Sequence, residues 1–403
     1  MNRLNEFAPS SGHDKPPIYT VSPQTAQLPQ HVVEELNGLP GPRPQVVMLG
    51  PQGGMAVGVE IGRAHLSVGV GDANGCLLGK PEILEEEHVI DGVSPQRTFS
   101  KVARMVDEQL QRCDVAAADI RGVGVAIPGP IGHDGQTLAH GITTSYHDID
   151  IPAKLERQLS DMVGIEAEVF VENDVDILAR GEQRYGKGYG LRDFLVVKYS
   201  GGIGAGIVAG GELVRGRRGG GAGEIGHCTV SPEALVSPAK TLRQVREPRC
   251  KCGGWSHLEA FAGGDAIVRH ILELEGGGRT SLNRDAPPPA QLDEAMELAR
   301  AGHPLYAEAI MDAAAMVGYG INTLIHLFNP ERVLICGKLS EMGQPFLRAI
   351  VEECQDLGLL FGDAKQIVEL GAGSDVQERR RISVGGAVTT ALQKTTPRFA
   401  YSF

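Results

Sequence analysis

Two glycine-rich segments, each at the start of alternating apolar strands and amphipathic helices, constrain the fold of this 403-residue chain most strongly. The first segment is Glu60-Ile-Gly62-Arg63-Ala64, and the second is Tyr199-Ser-Gly-Gly-Ile-Gly-Ala-Gly206. Successive glycines in the second segment leave backbone N–H groups unobstructed, which makes it a candidate anion-binding loop, and the first segment, with its single glycine, is a weaker candidate. A plain hairpin turn is the alternative, and for the first segment it stays open. The repeated pattern predicts an α/β protein with two similar lobes, each built on a mixed β-sheet, flanking a central cleft.

The hydrophobic periodicity predicts the main elements of these lobes. Met55–Val70 alternates as one strand, and we expect Cys76–Leu78 to pair with it as a hairpin. Phe99, Val102, Val106 and Leu110 fall on one face of a helix predicted over residues 95–112. Later segments with helical periodicity are Ala290–Arg300, Tyr306–Phe328 and a final helix that begins near Val384.

Composition excludes several classes of protein. An apolar content of 42% and a charged content of 22% are ordinary for a globular protein. The net charge of −12 provides no general attraction to nucleic acid or to an anionic membrane. Seven cysteines, an odd number, fit a reducing cytoplasm better than a disulfide scaffold. There is neither a long apolar run nor a signal-peptide pattern, so we expect a cytoplasmic protein without membrane segments.

Two cysteines and two histidines predict a metal site. Thiolates and imidazoles in a Cys₂His₂ set suit a closed, tetrahedral structural Zn²⁺ site, and the candidate ligands are His227, Cys250, Cys252 and His257. The alternative is two reduced core cysteines beside two solvated histidines. Neighbouring glycines favour the metal, because a tight turn of thiolates needs backbone that tolerates unusual φ. Glu224 and Glu259 stand beside the outer ligands, so a bound ion would hold both carboxylates in one cleft.

Asp174 follows an apolar strand at the start of a predicted helix. It could act as a helix N-cap, which is the common role of Asp in this position. It could also be a general base that takes a proton from a hydroxyl attacking a phosphoryl group. Asn173 beside it is placed to bind hydroxyls of the same acceptor.

Taken together, these residues resemble the ROK family (repressors, open reading frames and sugar kinases), which has the actin-like, ribonuclease H-like fold of hexokinase-type ATPases. The resemblance covers about residues 55–390 and is most specific at Glu172-Asn173-Asp174, at Gly223–His227 and in the cysteine segment. The family pattern there is Cys-x-Cys-Gly-x-x-Gly-Cys-x-Glu. This chain matches it except that Ser256 and His257 replace its glycine and last cysteine. Imidazole is also a zinc ligand, so the resemblance supports the metal site.

The resemblance implies a role for each matching residue. Asp174 matches the catalytic base. The sugar-binding positions are matched by Gly129, Asn173, Asp174, Glu224, His227 and Glu259, with His227 serving metal and sugar together. The positions beside the nucleotide are matched by Gly62, Ser200, Gly201, Gly202, Gly204 and Gly337. ATP, Mg²⁺ and structural Zn²⁺ are the implied cofactors, and family members are usually dimers or tetramers.

The resemblance also divides the chain. Residues 55–172 would form the small lobe, with a C-terminal helix over residues 384–398 packing back on it. Residues 173–383 would form the large lobe, which carries the zinc-binding segment. Residues 1–54 would be an extension, in which a helix at Ser22–Leu39 and the segment Pro44–Leu49 resemble a degenerate winged helix.

Departures from the family pattern concentrate in the phosphate loops. The first loop of the family is Asp-x-Gly-Gly-Thr, whereas this chain has Glu60, Arg63 and Ala64 in place of the Asp, the second Gly and the Thr. Gly201 replaces the threonine of the second loop, and Lys338 replaces a glycine in the third nucleotide segment. Arg63 and Lys338 could pair with phosphate or fill the nucleotide cleft. The loop Thr143–Ile149 lacks the familiar Pro-Gly-Trp, which favours an unusual acceptor such as an amino sugar or cyclitol.

Two functions follow. The first hypothesis is an ATP-dependent kinase for a sugar or sugar-like polyol, with Asp174 as base. The second is a sugar-responsive regulator or a ligand-binding pseudokinase, which the Arg63-Ala-His65 variant of the first loop favours. DNA binding by residues 1–54 is not expected, because Pro29 interrupts the helix and three basic residues face four acidic ones (Arg3, Lys15, Arg43; Glu6, Asp14, Glu34, Glu35).

Overall fold

The computed structural model describes residues 18–21, 46–49, 54–86, 89–90, 92–132, 146, 149–216, 221–245, 248–276, 281–372 and 376–395. The helix expected at Ser22–Leu39, most of the loop Thr143–Ile149 and residues 396–398 lie outside these ranges. In the N-terminal segment, β1 (Ile18–Val21) pairs antiparallel with β2 (Val46–Leu49).

The first large sheet has five strands in the order β5-β4-β3-β6-β7. β3 pairs antiparallel with β4 and parallel with β6, while β5 and β7 extend the two edges. Valine and isoleucine fill β3 and β6, which are buried on both faces as central strands of such sheets are. The strands are β3 (Met55–Ile61), β4 (His65–Gly71), β5 (Glu82–Glu85), β6 (Ile120–Ile127) and β7 (Glu168–Asn173).

The second sheet repeats this topology. Its order is β10-β9-β8-β11-β12, with β8 antiparallel to β9 and parallel to β11. The prediction of two α/β lobes with mixed sheets is therefore confirmed, whereas their bounds at residues 55–172 and 173–383 stay a prediction. The strands are β8 (Phe194–Tyr199), β9 (Ile203–Ala209), β10 (Glu212–Leu213), β11 (Arg332–Cys336) and β12 (Val368–Leu370).

Helices cover the sheets. In α1 (Pro95–Cys113), Phe99, Val102, Val106 and Leu110 are buried, as the periodicity predicts. The Ser94 side chain accepts a hydrogen bond from the Arg97 N–H and caps this helix. The other helices are α2 (Ile151–Val163), α3 (Asp174–Tyr185), α4 (Leu258–Ala262), α5 (Gly264–Leu274), α6 (Pro288–Arg300), α7 (Pro304–Phe328), α8 (Gln344–Asp356), α9 (Ala364–Ile367) and α10 (Val376–Thr395). Within the described ranges, no helix combines the length and apolar character needed to cross a membrane.

Two sequence predictions of elements are wrong. Met55–Val70 is not one strand, because the chain turns back between Ile61 and His65 and forms the hairpin β3–β4. The turn is closed by a 2.9 Å hydrogen bond from the Gly62 N–H to the His65 carbonyl oxygen. The predicted pairing of Cys76–Leu78 is present as a short antiparallel bridge between Leu77 and Gly71, with a 2.8 Å hydrogen bond from the Leu78 N–H to the Val70 carbonyl oxygen. The final helix also begins earlier than Val384, at Val376.

Helix α10 packs backbone to backbone on the first sheet. A Cβ atom on Gly124 of β6 would lie 2.0 Å from the Ala387 carbonyl oxygen, and one on Gly58 of β3 would lie 2.3 Å from the Val384 oxygen. On its other side α10 contacts α3, where a Cβ on Gly181 would lie 2.1 Å from the Ile382 oxygen. Glycine is therefore required where α10 meets both elements.

Candidate ligand-binding cleft and metal centre

A cleft of about 560 Å³ lies between the two sheets. This volume suits a small ligand. The structure brings to its wall all the residues predicted to contact a sugar or a nucleotide, although they are far apart in sequence. They are Gly62, Gly129, Asn173, Asp174, Ser200, Gly201, Gly202, Gly204, Glu224, His227, Glu259 and Gly337.

Asn173 and Asp174 lie where β7 passes directly into α3. Asn173, and not Asp174, is the N-cap: its Oδ1 accepts a 2.9 Å hydrogen bond from the Val175 N–H. Its Nδ2 donates to the Gly129 carbonyl oxygen at 2.9 Å, which ties the first sheet's β6 loop to this corner. The N-cap interpretation of Asp174 is therefore wrong, and its carboxylate faces the cleft.

Lys198, on β8, is a cleft residue that the sequence analysis missed. Its ammonium lies 2.7 Å from Asp174 Oδ2 and 3.9 Å from Glu60 Oε1. A single lysine in the otherwise apolar strand Phe194–Tyr199 was the available signal. The carboxylate predicted to act as a base is thus held in an ion pair.

Glu60 is a buried carboxylate surrounded by positive charge. Only 2% of the residue is exposed, and His65 Nε2 and Arg380 Nη1 lie 3.4 Å and 3.6 Å from its Oε2. Burial favours the protonated acid, but Arg380, His65 and Lys198 together hold the pKa of Glu60 well below its usual range. Burial also lowers the pKa of His65. Glu60 is therefore ionised and paired within the protein.

Arg63 covers the second glycine loop. Its Nη1 donates to both carboxylate oxygens of Asp265, at 2.8 Å and 3.1 Å. A Cβ atom on Gly201 would lie 2.7 Å from this nitrogen, so the guanidinium rests directly against the loop. Lys251 pairs with the same Asp265 carboxylate. The ion pair joins the β3–β4 turn of one sheet to the N-terminal end of α5.

The loop under Arg63 offers free backbone donors. The carbonyl oxygens of Ser200 and Gly201 accept hydrogen bonds from the N–H groups of Gly264 and Asp265. Ser200 donates its own N–H to the Gly202 oxygen at 3.0 Å. Within the part of the chain that the structure describes, the N–H groups of Gly201 and Gly202 have no hydrogen-bond partner. The loop is therefore an anion cradle with a cation already beside it.

Most of the carboxylates that could hold a magnesium-bound nucleotide beside this loop are already paired with cations of the protein. Mg²⁺ binds through carboxylates and keeps several waters. Three carboxylates beside the loop are already paired with cations, namely Glu60, Asp174 and Asp265, whereas Glu259 Oε2 accepts a hydrogen bond from the Ile203 N–H. Lys338 is engaged as well, because its ammonium lies 2.6 Å from Asp293 and 3.3 Å from Glu341.

The part of the cleft next to this loop is acidic. Glu259 Oε2 accepts a 3.0 Å hydrogen bond from the Ile203 N–H, and Glu224 Oε2 lies 3.7 Å from His227 Nε2. Burial, with the nearby charges of Glu259 and Asp174, raises the pKa of Glu224 to about 7. Carboxylates and an imidazole pointing into one space are suited to the hydroxyl groups of a sugar.

The four predicted metal ligands come together beside this acidic part of the cleft. One ligand atom from each of them lies within 4.8 Å of all the others: His227, Cys250, Cys252 and His257. The Cys250 Sγ–His227 Nδ1 distance is 3.5 Å and the Cys252 Sγ–His257 Nδ1 distance is 3.3 Å. Tetrahedral Zn²⁺ with its usual bond lengths separates ligand atoms by about 3.3–3.8 Å. The donor types and these two distances therefore suit zinc.

The backbone of this turn, which we call the zinc knuckle (residues 250–257), depends on glycine. Gly253 has φ 92°, in the left-handed region that favours glycine. A Cβ atom on Gly254 would lie 2.2 Å from His257 Cε1, so the imidazole needs this glycine to reach the thiolates. Burial raises the pKa of Cys250 to about 11. Without a cation its thiol is therefore protonated at neutral pH.

Comparison with known proteins agrees with this geometry. The model of the ROK family matches residues 56–378, and the chain belongs to that family. A glucokinase from Halalkalibacterium halodurans is 28% identical over 308 residues, which cover 75% of this chain and 86% of the glucokinase. A xylose repressor from Caldicellulosiruptor bescii is 25% identical over 344 residues, covering 83% of this chain and 79% of the repressor.

Among solved structures, a ROK family glucokinase from Streptomyces griseus in complex with glucose and AMPPNP is 25% identical, with a TM-score of 0.62. The match covers 84% of this chain and 100% of that one. The relatives thus include sugar kinases and a repressor named for xylose. Membership of the family therefore does not decide whether this chain is a kinase or a repressor.

Proposed function

We propose that this chain binds a sugar or sugar-like polyol in the cleft and does not phosphorylate it, which makes it a sugar-responsive regulator or pseudokinase of the ROK family. One observation carries the proposal: the Lys198 ammonium lies 2.7 Å from Asp174 Oδ2. A general base has to accept a proton from the attacking hydroxyl. The Lys198 ammonium donates to Asp174 Oδ2 and so occupies one of the two oxygens that could receive this proton.

Sugar binding is supported by the acidic part of the cleft. Asn173, Glu224, His227 and Glu259 offer hydrogen-bond donors and acceptors around one small volume. In the Streptomyces griseus structure the related glucokinase holds glucose. A site that pairs each hydroxyl rejects analogues that lack one, so we expect selectivity among sugars rather than general polyol binding.

The proposed loss of phosphoryl transfer is supported by the contacts around the glycine loop of the cleft. Arg63 and Asp265 occupy the space over Gly201 where a phosphate group would approach the loop. Three of the carboxylates that could hold Mg²⁺ beside the loop, Glu60, Asp174 and Asp265, are already paired with cations. Catalysis of phosphoryl transfer depends almost entirely on such positioning and charge, so these changes remove its main contributions.

For the metal centre, we propose one structural Zn²⁺ bound by His227, Cys250, Cys252 and His257. His227 would use Nδ1 for the metal and turn Nε2 toward Glu224 and the cleft. The ion would fix the orientation of His227 and the position of the helix that carries Glu259. It would have no part in any chemical step.

A second candidate function is the sugar kinase. It is favoured by the free N–H groups of Gly201 and Gly202, which could hold phosphate if Arg63 moved away. Two measurements separate the kinase from the regulator. Hexoses, N-acetylhexosamines, amino sugars and cyclitols are first titrated by calorimetry. Each sugar that binds is then tested in an ADP-release assay. Sugar binding without sugar-dependent ADP release supports our proposal, whereas sugar-dependent ADP release supports the kinase.

Two further expectations concern partners. Assembly into a dimer or tetramer stays a prediction. DNA binding by residues 1–54 is not part of our proposal, although β1 and β2 pair as two strands of a ribbon.

A further inference from the structure

We infer that the Arg63 side chain is a gate over the glycine loop Ser200–Gly204, held closed by Asp265 and released with the help of Lys251. Arg63, Asp265 and Lys251 all line the cleft. Such a gate would govern access to the loop from the cleft. It goes beyond the proposed function, because it applies to a regulator and to a kinase alike.

The closed position of the gate is defined by contacts around the guanidinium. Arg63 Nη1 donates to Asp265 Oδ2 and Oδ1 at 2.8 Å and 3.1 Å, and a Cβ atom on Gly201 would lie 2.7 Å from the same nitrogen. The Asp265 N–H in turn donates to the Gly201 carbonyl oxygen at 3.2 Å. Guanidinium, carboxylate and loop therefore pack as one unit, and the loop is covered while the ion pair lasts.

The backbone of Arg63 is fixed, so its side chain is the part that can move. The Gly62 N–H bonds the His65 carbonyl oxygen at 2.9 Å, and the Val89 N–H bonds the Arg63 carbonyl oxygen at 3.0 Å. A Cβ atom on Gly62 would lie 1.8 Å from His65 Cε1, so the turn is tightly packed as well. Arginine has a long side chain with large rotamer freedom. The gate can therefore open by side-chain rotation while the β3–β4 turn stays intact.

Lys251 gives Asp265 a second partner. Its ammonium pairs with Oδ2, the same oxygen that lies closest to Arg63. The Asp265 side chain is only 12% exposed, and a buried carboxylate without a partner is costly. Lys251 removes that cost when Arg63 leaves, and repulsion between two cations at one carboxylate also weakens the closed pair. Lys251 therefore favours opening of the gate, whereas Asp265 favours closing.

The zinc knuckle carries Lys251 to this position. Lys251 lies between Cys250 and Cys252, two of the residues proposed to bind Zn²⁺. The Cys250 N–H donates to the Gly254 carbonyl oxygen at 2.9 Å, which closes the turn that presents the lysine to Asp265. The opening cation thus belongs to an element with its own defined backbone geometry.

The test measures how fast phenylglyoxal, an arginine-selective reagent, modifies Arg63 in the full chain without any added ligand. Mass spectrometry of the digested protein gives the rate at each arginine. Arg157, with a side chain 85% exposed, is the internal reference. A guanidinium paired with a carboxylate and packed on a loop is shielded from the reagent, so the rate at Arg63 rises with the open fraction of the gate.

Four variants are compared with the wild type: Asp265→Asn, Gly201→Ala, Lys251→Gln and Lys251→Arg. Lys240→Gln is the matched control for Lys251→Gln, because it removes one positive charge from an exposed pair with Glu308. Circular dichroism checks that each variant folds.

The gate predicts changes of opposite sign. Asp265→Asn should raise the rate at Arg63 about tenfold, because the charge-assisted pair is lost. Gly201→Ala should raise it several-fold, because the added methyl group displaces the guanidinium. Lys251→Gln should lower it by a factor of about two to five, since Asp265 loses its alternative partner. Lys251→Arg and Lys240→Gln should react at the wild-type rate.

General loosening of the structure would instead raise the rate in every variant of the three contact residues. A rate in Lys251→Gln equal to or above that of the wild type would overturn our inference. Unchanged rates in both Asp265→Asn and Gly201→Ala would overturn it as well, and if Asp265→Asn does not fold, Gly201→Ala and Lys251→Gln still decide. Sugar binding and ADP release are measured separately, so failure of the gate leaves the proposed function standing, and the reverse also holds.

Discussion

The ammonium of Lys198 and the carboxylate of Asp174 are 2.7 Å apart, at the point where the two lobes meet. Lys198 projects from β8, and Asp174 is the first residue of α3. The same ammonium lies 3.9 Å from Glu60 of β3, so one lysine of the second sheet contacts two carboxylates on the side of the first sheet, Glu60 and Asp174. A cation supplied by the protein therefore stands beside the residue that the family resemblance makes a catalytic base.

This ion pair leads to a prediction about turnover. We expect the wild-type protein, tested with sugars that it binds, to release ADP from Mg²⁺-ATP no faster than Asp174→Asn. The physical reason is that the Lys198 ammonium occupies Asp174 Oδ2, while the Arg63 guanidinium rests against Gly201 of the glycine loop. A coupled ADP assay measures this. A sugar-dependent rate that disappears in Asp174→Asn, with sugar binding retained, would show that the chain is a kinase.

The zinc knuckle gives a prediction with a matched control. His257→Ala should lose most of the zinc, from about one ion per chain, and sugar affinity should fall about tenfold or more because His227 and Glu259 lose their support. His257→Cys restores a thiolate ligand and should keep both metal and affinity. Elemental analysis and calorimetry provide the two measurements. Full zinc content in His257→Ala would mean that another residue is the fourth ligand.

The contact between α10 and the first sheet predicts a sensitivity to side-chain size. Gly124→Ala places a Cβ 2.0 Å from the Ala387 oxygen, so α10 must shift. We expect the free energy of unfolding to fall by about 2 kcal/mol. Gly79→Ala is the control, since no atom lies within 4 Å of its added Cβ, and it should change stability by less than about 0.5 kcal/mol. Urea denaturation measures both; equal stability of the two variants would contradict this packing.

A buried acid in α3 predicts a pH dependence of stability. Burial raises the pKa of Glu182 from 4.5 to about 7, so between these values the folded protein holds a proton that the unfolded chain releases. The stabilisation from this group is complete below pH 4.5 and is lost as the pH rises through about 7. Its upper limit is roughly 3 kcal/mol.

Glu182→Gln removes this titration but keeps an acceptor for the Lys187 N–H, which bonds Glu182 Oε2 at 2.9 Å. Relative to wild type, the variant should gain stability between about pH 5 and about pH 8, by up to roughly 3 kcal/mol. Urea titrations at several pH values give the difference. Parallel pH profiles for the two proteins would show that Glu182 does not titrate in this range.

Much of the cleft could be predicted from sequence because its residues are in local motifs. Asp174 follows a recognisable strand end, Glu224 stands in a glycine turn, and Glu259 follows a pair of predicted metal ligands. The structure places all three residues on the wall of the cleft. The four residues predicted as metal ligands also lie together. The repeated hairpin and helix pattern was enough to predict two mixed sheets.

The partners of Arg63 and Lys198 could not be predicted in this way. Asp265 follows Arg63 by 202 residues, and nothing near either residue in sequence indicates the pair. Arg380 reaches Glu60 only because α10 returns to the first sheet. The turn at Gly62 was missed for a different reason: both strands of the hairpin are apolar and buried, so the pattern continues through a three-residue reversal.

The position of α10 limits which fragments of this protein can fold on their own. A fragment that stops before Val376 would leave the glycine-lined face of β3 and β6 open to water, although all strands of that sheet would be present. Cutting the chain after Asn173 would accordingly not yield an independently folding half. During synthesis, the first sheet gains its cover only when the last helix emerges, so the small lobe should complete its folding after the large one.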